Sequence, residues 1–377
     1  MKYVLVGAGS IGRALIADIL DAEPEASFLA IDADPAAVAA AAKLGGERGR
    51  VETVVSEAAD PAALTPLLKD AAVVVNCTYG ARCLEILDAA IAARASYVDV
   101  HGTLLMEERF ARHDAARAAG ITALIGLGVS PGLTNMLAAA KARRFQGGVD
   151  IDCEYITHRP INPTTGLLET ALRQFRNGVK APVWEDGKLH WYPPFSGAIR
   201  TRFAGMSEDV EIVYTPHSEP FTVPRFVKNA RRVVVRGAYH AKVMTLLKSL
   251  YEFGLLDPSR TVQVDGVPRD FQPVLREGLM GDGSPRPAEM SSSYTMRVRV
   301  TDGKTTLSTT VYHDPAWDVA PQGRMTALPA AFGARLVANG EFVQPGVCGS
   351  ELYSDAQAEA CLAHLRERGL EVLEERS

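Results

Sequence analysis

The sequence lacks any long hydrophobic run. None of its apolar stretches approaches the ~20 residues that a membrane-spanning helix needs. Its first residues, MKYVLVGAG, also lack the basic, apolar and small-residue order of a signal peptide. We therefore expect a cytoplasmic protein that has no membrane partner.

Clusters of positive charge are missing as well. The 377 residues carry a formal net charge of -5, and both signs are interspersed without a Lys/Arg block. This pattern is atypical of nucleic-acid binding, so we expect a small-molecule substrate and no nucleic-acid partner. The cysteines form no C-x-x-C pair and lie near no histidine cluster, so neither a disulfide framework nor a metal site is predicted. They are Cys77, Cys83, Cys153, Cys348 and Cys361.

The first 125 residues alternate short apolar runs with alanine-rich helical stretches. This rhythm predicts a Rossmann-type α/β fold, with a doubly wound parallel sheet. The strands are expected at residues 3–6, 28–31, 51–54, 73–76, 97–100 and 121–125. Later segments such as WEDGKLHW and SSSYTMRVRVTDGKTTLSTTVYHD have the pattern of hairpins. They predict a second α+β domain built on a mixed, largely antiparallel sheet.

The segment VGAGSIG has the form G-x-G-x-x-G between an apolar strand and an Ala/Leu/Ile helix. An acidic residue, Asp32, ends the next strand about 20 residues later. In this context Gly7 permits a tight turn, Gly9 lets the backbone approach a pyrophosphate, and Gly12 lets helix pack on strand. Asp32 would accept from the adenosine ribose hydroxyls. The predicted cofactor contacts of this region are Gly7, Gly9, Ser10, Ile11, Gly12, Asp32 and Ala33.

The charge around Asp32 bears on the choice of cofactor. The residues after it are Ala33, Asp34 and Pro35, with no Arg or Lys to meet a 2′-phosphate. A carboxylate would repel that phosphate. NAD is therefore predicted, and NADP is the less favoured alternative.

Polar residues follow two further strands, at the sheet edge where ligands of parallel sheets collect. After VVVN we predict cofactor contacts at Asn76, Cys77 and Thr78, and a substrate contact at Tyr79. The segment YVDVHG places Asp99 and His101 at the end of the following strand. For both residues a catalytic role and a purely structural role, such as capping a loop, remain open.

Several longer segments together resemble the saccharopine dehydrogenase superfamily, which includes saccharopine reductases, carboxynorspermidine dehydrogenases and lysine 6-dehydrogenases. They are VGAGSIG, VVVNC, YVDV, AARAAGITALIGLGVSPGLTNMLA and MTALPAAFGARLVANGEFVQPGV. The resemblance implies an NAD(P)-dependent oxidoreductase acting on a carbon–nitrogen bond of an amino acid or amino-acid conjugate. It also implies a cofactor domain over 1–127 and a substrate and dimerisation domain over 128–322. A C-terminal segment over 323–377 would return to the first domain, and the protein would form a homodimer.

The resemblance extends to individual residues. Gly128, Ser130 and Pro131 match the family's segment beside the nicotinamide, and Glu219 belongs to a retained Ser-Glu step. The catalytic candidates are Asp99, His101, His158 and Arg159. A substrate carboxylate calls for guanidinium partners, for which Arg159, Arg231, Arg232 and Arg236 are available. The sequence departs from the family at Thr157-His158-Arg159-Pro160, where small residues are usual, so the substrate is left open.

The sequence bears on two other functions. A short-chain dehydrogenase needs a Tyr-x-x-x-Lys pair, and no tyrosine of this sequence has a lysine four residues later. That class is excluded. A non-catalytic NAD-binding sensor or scaffold of the same fold stays as the alternative, because the altered strand end at 157–160 would suit a protein that has lost the chemistry.

Overall fold

The computed structural model describes residues 1–57, 60–78, 82–102, 105–159, 165–280, 293–313 and 321–377. The chain divides into two compact units. The first comprises residues 1–144, 225–227 and 322–369, and the second comprises residues 145–224, 228–321 and 370–377.

The first unit is built around a parallel sheet. In the described residues the chain order to Ala142 is β1 (Lys2–Val6), α1 (Ser10–Ala22), β2 (Ser27–Asp32), α2 (Pro35–Ala42), β3 (Val51–Val55), α3 (Pro61–Leu68), β4 (Val73–Asn76), α4 (Cys83–Ala93), β5 (Ser96–Asp99), α5 (Met106–Phe110), α6 (His113–Ala119), β6 (Thr122–Leu124) and α7 (Leu133–Ala142).

The second unit follows with β7 (Val149–His158), α8 (Thr165–Gln174), β8 (Ala181–Glu185), β9 (Lys188–Tyr192), β10 (Ile199–Thr201), β11 (Val210–Tyr214), α9 (Glu219–Phe226), β12 (Ala230–Tyr239), α10 (Ala241–Glu252), β13 (Thr261–Val264), β14 (Val267–Asp270), α11 (Phe271–Met280), β15 (Ser293–Thr301) and β16 (Thr306–His313). The chain ends with α12 (Pro321–Ala338), β17 (Gly346–Cys348), α13 (Asp355–Glu367) and β18 (Leu370–Arg376).

The sheet of the first unit has the strand order β17-β6-β5-β4-β1-β2-β3, with all neighbours parallel. Its central strands are buried on both faces, as in a sheet covered by helices on either side. The reversal of order between β1 and β4 is the point where ligands of open parallel sheets bind. The doubly wound fold predicted from the sequence is confirmed, and β17 adds a strand that the sequence did not indicate.

The main sheet of the second unit has the order β10-β11-β12-β7-β15-β16-β18, and β8 and β9 pair beyond this path. Only β12 and β7 are parallel neighbours, and the other pairs are antiparallel. The mixed, largely antiparallel sheet is thus confirmed. Both predicted hairpins are present, turning at Asp186-Gly187 and Asp302-Gly303.

The compact units differ from the predicted division at two points. Helix α7 lies in the first unit, which continues to Arg144 rather than ending at residue 127. The C-terminal segment returns to the first unit only to Gly369, because β18 pairs with β16 and so belongs to the second unit. Among the described helices, none has the length and apolar character to cross a membrane.

Candidate functional site

The glycine loop between β1 and α1 is tightly packed at two of its three glycines. Gly7 has a φ of +99°, and a Cβ there would lie 2.6 Å from the backbone of Cys77. A Cβ on Gly12 would lie 2.1 Å from the carbonyl oxygen of Gly7. Any larger residue at either position would therefore collide with the backbone, which explains why the turn requires glycine.

Gly9 has the opposite environment. Among the residues that the structure describes, a Cβ built on it would meet no heavy atom within 4 Å, and both Gly9 and Ser10 are exposed. Gly9 is the N-cap of α1, and the first turn of this helix has no side-chain cap and no acidic residue. Ser10 begins the helix and Ile11 is half-buried behind it. Open space above an uncapped helix N-terminus fits a phosphate group, since backbone N–H groups there are available to an anion.

Asp32 ends β2 beside the same loop. Its Oδ2 accepts a hydrogen bond from the Ala8 N–H at 2.6 Å, and its Oδ1 accepts from the Asp34 N–H at 2.9 Å. The carboxylate is half-buried, and Ala33 next to it is exposed. These contacts fix a negative charge at the edge of the glycine loop, where the ribose of a dinucleotide is expected.

The end of β4 approaches the glycine loop from the neighbouring strand. Asn76 is fully buried, donates to the Tyr97 hydroxyl at 2.9 Å and accepts from the Thr78 N–H at 3.0 Å. Cys77 is half-buried, and burial together with the negative charge of Asp99 raises its pKa to about 12. Its thiol therefore stays protonated at neutral pH and is no ionised nucleophile. Tyr79, the predicted substrate contact, lies outside the described residues.

Asp99 has a structural environment that the sequence did not reveal. Its side chain and that of Arg109 are fully buried and form an ion pair at 2.9 Å. The carboxylate also accepts from the Tyr97 hydroxyl and from the N–H groups of His101 and Gly126. With both oxygens occupied in this way, Asp99 holds the end of β5 and is not placed to accept a substrate proton. Of the two roles left open for it, the structure supports the structural one.

His101 is held by the same arrangement. It is buried, with 7% of its surface exposed, and its backbone N–H and C=O bind Asp99 and Arg109 respectively. Arg109 also donates to the Gly102 carbonyl at 2.6 Å. The backbone that carries the imidazole is thus fixed at the carboxyl end of β5, the edge of the sheet where Asn76 also lies.

The turn between β6 and α7 is held together by its own hydrogen bonds. The Gly128 N–H donates to the Pro131 carbonyl at 2.9 Å, and the Gly132 N–H donates to Asn135 Oδ1 at 2.8 Å. Asn135 in turn donates to the buried Glu351 at 2.6 Å. Pro131 is buried, whereas the neighbouring Ser130 is half-buried. This turn follows the same edge of the parallel sheet as His101.

In the second unit, a cluster of buried and half-buried polar side chains lies on one face of the main sheet. Gln174 bridges two tyrosines, since its Oε1 accepts from the Tyr239 hydroxyl at 2.9 Å and its Nε2 donates to the Tyr155 hydroxyl at 3.3 Å. His217 Nε2 lies 3.2 Å from Gln174, and its Nδ1 lies 3.7 Å from the buried carboxylate of Glu219. We call these residues, with Arg159 and Tyr294, the tyrosine cluster.

Arg159 joins the cluster through its guanidinium, which lies 5.0 Å from the centre of the Tyr239 ring. Tyr294 stacks on Tyr155 with centroids 6.0 Å apart. Burial is the main cause that raises the pKa values of all three tyrosines, so their hydroxyls stay protonated. The cluster thus offers a buried cation, a buried carboxylate and neutral hydroxyl donors, a set suited to a polar organic ligand.

His158 does not belong to this cluster. The strand register places Tyr155 on the face of β7 opposite to Ile156 and His158, because side chains alternate along a strand. The His158 ring lies edge-on to that of His240, with centroids 5.4 Å apart. Burial and the nearby His240 lower its pKa, so the imidazole is neutral at physiological pH. His158 and Arg159, predicted for one site, are thus found on different faces of the sheet.

Three of the four predicted carboxylate partners are engaged elsewhere. Arg232 pairs with Asp152 and with Glu185, each at 3.6 Å. Arg236 is buried and pairs with Asp152 at 2.6 Å, on the same sheet face as His158. Arg231 is exposed and pairs with Asp150 at 3.2 Å. These last two ion pairs join β12 to β7, so these arginines stabilise strand pairing and are not placed in the tyrosine cluster. Their contact with a substrate stays a prediction.

Several residues of these sites were not singled out from the sequence. They are Tyr97 and Arg109 in the first unit, and Tyr155, Gln174, Tyr239, His240 and Tyr294 in the second. The one signal available was the segment HSEPFTVP, which contains both His217 and Glu219. Within the described ranges, no group of three or more His, Cys, Asp or Glu residues is arranged to hold a metal ion.

The parallel sheet, the open glycine loop and Asp32 together define a protein with an NAD(P)-binding domain. Two family models extend this result over almost the whole chain. Residues 3–124 match the saccharopine dehydrogenase NADP-binding domain, and residues 128–370 match the saccharopine dehydrogenase C-terminal domain. The chain therefore belongs to the saccharopine dehydrogenase family, a family of oxidoreductases.

Solved structures share the fold at low sequence identity. The saccharopine dehydrogenase (L-Glu forming) from Saccharomyces cerevisiae has a TM-score of 0.74 and 14% identity, with coverage of 100% of this chain and 99% of that chain. The homospermidine synthase from Legionella pneumophila, in complex with NAD, has a TM-score of 0.68 and 12% identity, with coverage of 96% and 89%. At such identities the likeness shows the fold alone.

Proposed function

We propose that this protein is an NAD-dependent oxidoreductase that acts on a carbon–nitrogen bond of an amino acid or amino-acid conjugate, as lysine 6-dehydrogenases and saccharopine dehydrogenases do. The observation that carries the proposal is the open space over Gly9 at an uncapped helix N-terminus, with Asp32 fixed beside it. Family membership adds the class of reaction. When bound, the cofactor supplies the hydride acceptor or donor.

The residues of the first unit have two proposed tasks. The backbone N–H groups at Gly9 and Ser10 bind the pyrophosphate, and Asp32 accepts from the ribose hydroxyls. His101 is the proposed proton acceptor, because an amine loses hydride readily only after it has lost its proton. Asp99 and Arg109 act as positioning residues, since they hold the backbone of His101.

The residues of the second unit are proposed to hold the substrate. The guanidinium of Arg159 is suited to a carboxylate, because its planar donors match the geometry of two carboxylate oxygens. The buried carboxylate of Glu219 is suited to an ammonium group. The tyrosine cluster as a whole thus favours an α-amino acid group as the part of the substrate that it recognises.

The proposal is tested by turnover. Purified protein is incubated with NAD and L-lysine, saccharopine or L-ornithine at alkaline pH, and with NADH plus amine and 2-oxo acid pairs in reverse. We expect turnover with at least one substrate, and a raised KM in Arg159→Met. Arg231→Met is the matched control, since Arg231 pairs with Asp150 at the surface and its loss should leave KM unchanged. Silence in both directions, with NADH still bound, contradicts catalysis and favours the non-catalytic sensor.

The cofactor preference has its own test. We propose that the fixed carboxylate of Asp32 disfavours a 2′-phosphate, so NADH should bind at least about tenfold more tightly than NADPH. Fluorescence titration measures both dissociation constants, and Asp32→Asn should narrow the ratio. Equal affinities in the unchanged protein would contradict the preference. We also propose a homodimer, for which light scattering after size exclusion is the direct measurement.

A further inference from the structure

Gln174 lies at the centre of the tyrosine cluster and contacts three of its side chains. It is the last residue of α8, and the buried Phe175 beside it packs into the core of the second unit. Its Oε1 lies 2.9 Å from the Tyr239 hydroxyl, and its Nε2 lies 3.3 Å from the Tyr155 hydroxyl and 3.2 Å from His217 Nε2. The proposed function gives this central amide no role.

The orientation of the amide follows from its neighbours. The guanidinium of Arg159 donates to the Tyr239 hydroxyl oxygen, so the hydroxyl proton is available to an acceptor. Gln174 Oε1 is that acceptor, and the amide nitrogen then faces His217. A reversed amide would place its oxygen beside His217 and would leave the Tyr239 proton facing an N–H group. The amide nitrogen is thus the donor to His217 Nε2.

This donor determines which nitrogen of His217 carries the proton. An amide N–H requires a lone pair at Nε2, so the proton of the neutral ring is on Nδ1. Nδ1 lies 3.7 Å from the carboxylate of Glu219, where an N–H group is attracted and a lone pair would be repelled. Neutral histidine in water prefers the opposite tautomer, with its proton on Nε2. The protein thus holds His217 in the less common form.

The contacts form one directed chain across the cluster. It begins at the cation of Arg159, passes through Tyr239, Gln174 and His217, and ends opposite the carboxylate of Glu219. Each group presents its donor to the next, so the dipoles are aligned between a positive and a negative end and strengthen one another. A proton added at His217 Nε2 would remove an acceptor and break the chain.

We propose that Gln174 is a positioning residue that keeps His217 neutral, with its proton on Nδ1. A protonated His217 would form an ion pair with Glu219 and cancel the charge of this buried carboxylate. Tyr155, which packs on the His217 ring with centroids 5.3 Å apart, is uncharged and adds no counter-charge. A neutral ring therefore leaves the charge of Glu219 available. Its use in catalysis rests on the proposed function, in which Glu219 contacts an ammonium group of the substrate.

The experiment uses the full chain, without cofactor or substrate, with its histidine rings labelled with ¹⁵N. Two-bond ¹H–¹⁵N correlation spectra distinguish the two tautomers and the protonated ring, and His217→Asn assigns the His217 signals by their loss. At neutral pH we expect the Nδ1–H pattern in the unchanged protein and a proton on Nε2 in Gln174→Met. The matched control is Gln272→Met, which should keep the Nδ1–H pattern, since Gln272 donates to the Leu255 and Asp257 carbonyls.

A second variant keeps the shape of the side chain. Gln174→Glu replaces the amide donor with a carboxylate oxygen, which accepts hydrogen bonds, so it should also place a proton on His217 Nε2. It takes the place of Gln174→Met if that variant does not fold.

Kinetics tests the consequence for the proposed function. With any substrate that is turned over, Gln174→Met should raise KM by at least about tenfold, the value of one lost contact to a charged group. The dissociation constant of NADH should be unchanged, and Gln272→Met should change neither quantity. An unchanged KM in Gln174→Met would contradict the role of Gln174 in the substrate site.

Two spectra would overturn the proposal. The first is an Nε2–H pattern of His217 in the unchanged protein, and the second is an Nδ1–H pattern retained in a folded Gln174 variant. Failure of the proposed function is a separate result, because the spectra require neither cofactor nor turnover.

Discussion

The buried ion pair between Asp99 and Arg109 allows a quantitative prediction for Asp99→Asn. Both side chains have 0% exposure, and the carboxylate accepts from Arg109, Tyr97 and two backbone N–H groups. The substitution leaves the guanidinium buried without its counter-charge. Removing one partner of such a pair costs about 3–5 kcal/mol. That cost is a large part of the ~5–15 kcal/mol by which a folded domain is usually stable.

Thermal unfolding followed by circular dichroism is the assay. For a unit of this size we expect Asp99→Asn to lower Tm by roughly 6–20 °C. The control is Asp88→Asn, which removes the same charge from a pair with Arg112 whose side chains are 42% and 29% exposed. An exposed pair contributes about 0–1 kcal/mol, so the control should lower Tm by less than about 4 °C.

A double variant separates loss of charge pairing from loss of packing. Asp99→Asn/Arg109→Met removes both charges, so it should be more stable than Asp99→Asn alone, because no unpaired charge stays buried. If the single variant does not accumulate as folded protein, the double variant should still give a larger yield of folded protein. The reasoning is refuted if Asp99→Asn costs no more than Asp88→Asn, or if the double variant is less stable than the single one.

Four further predictions concern three glycines and a histidine. Gly9→Ala should fold normally, because its Cβ has no neighbour within 4 Å among the described residues, yet it should bind NADH more weakly in a fluorescence titration. In Gly12→Ala the Cβ would lie 2.1 Å from a carbonyl oxygen. Its free energy of unfolding in urea should therefore fall by about 1–3 kcal/mol. Gly237→Ala should also be destabilised, since its Cβ would lie 2.1 Å from the Tyr155 ring, and unchanged urea stability would contradict this packing. The pKa of His158 is lowered in the folded state, so the unfolded chain takes up the proton first and stability falls as pH drops below about 6.5. His158→Asn should flatten that fall in unfolding measurements between neutral and mildly acidic pH.

The cofactor domain was predictable because its signals are local. The glycine loop and Asp32 lie within the first 32 residues, and strand, turn and helix follow one another directly. The structure adds that Gly7 packs against Cys77, which follows a neighbouring strand. The turn in the sequence already indicated that a glycine is needed there. Element order and the parallel sheet followed from the same alternation of apolar and helical segments.

Long-range pairing explains what the sequence did not reveal. In the sequence Arg236 and Arg231 are cations available to a substrate carboxylate, but the parallel register of β12 and β7 places Asp152 and Asp150 within reach of them. Asp99 was a candidate base because the segment YVDVHG does not show its ion-pair partner. That partner is Arg109 on the following helix, which is buried beside Asp99. A single sequence shows which groups are charged, whereas only the fold shows which charges neutralise one another.

The separation of His158 from Arg159 has a consequence for how the second unit handles ligands. These residues follow each other in the chain, yet His158 packs against His240 and Arg159 lies over Tyr239 in the tyrosine cluster. Side chains of an extended strand point alternately to its two faces, so neighbouring polar residues at a strand end serve two separate surfaces. One strand end therefore supplies a neutral imidazole to one face and a cation to the other. A carboxylate would need the cation, which is why the tyrosine cluster is the surface that we propose for the substrate.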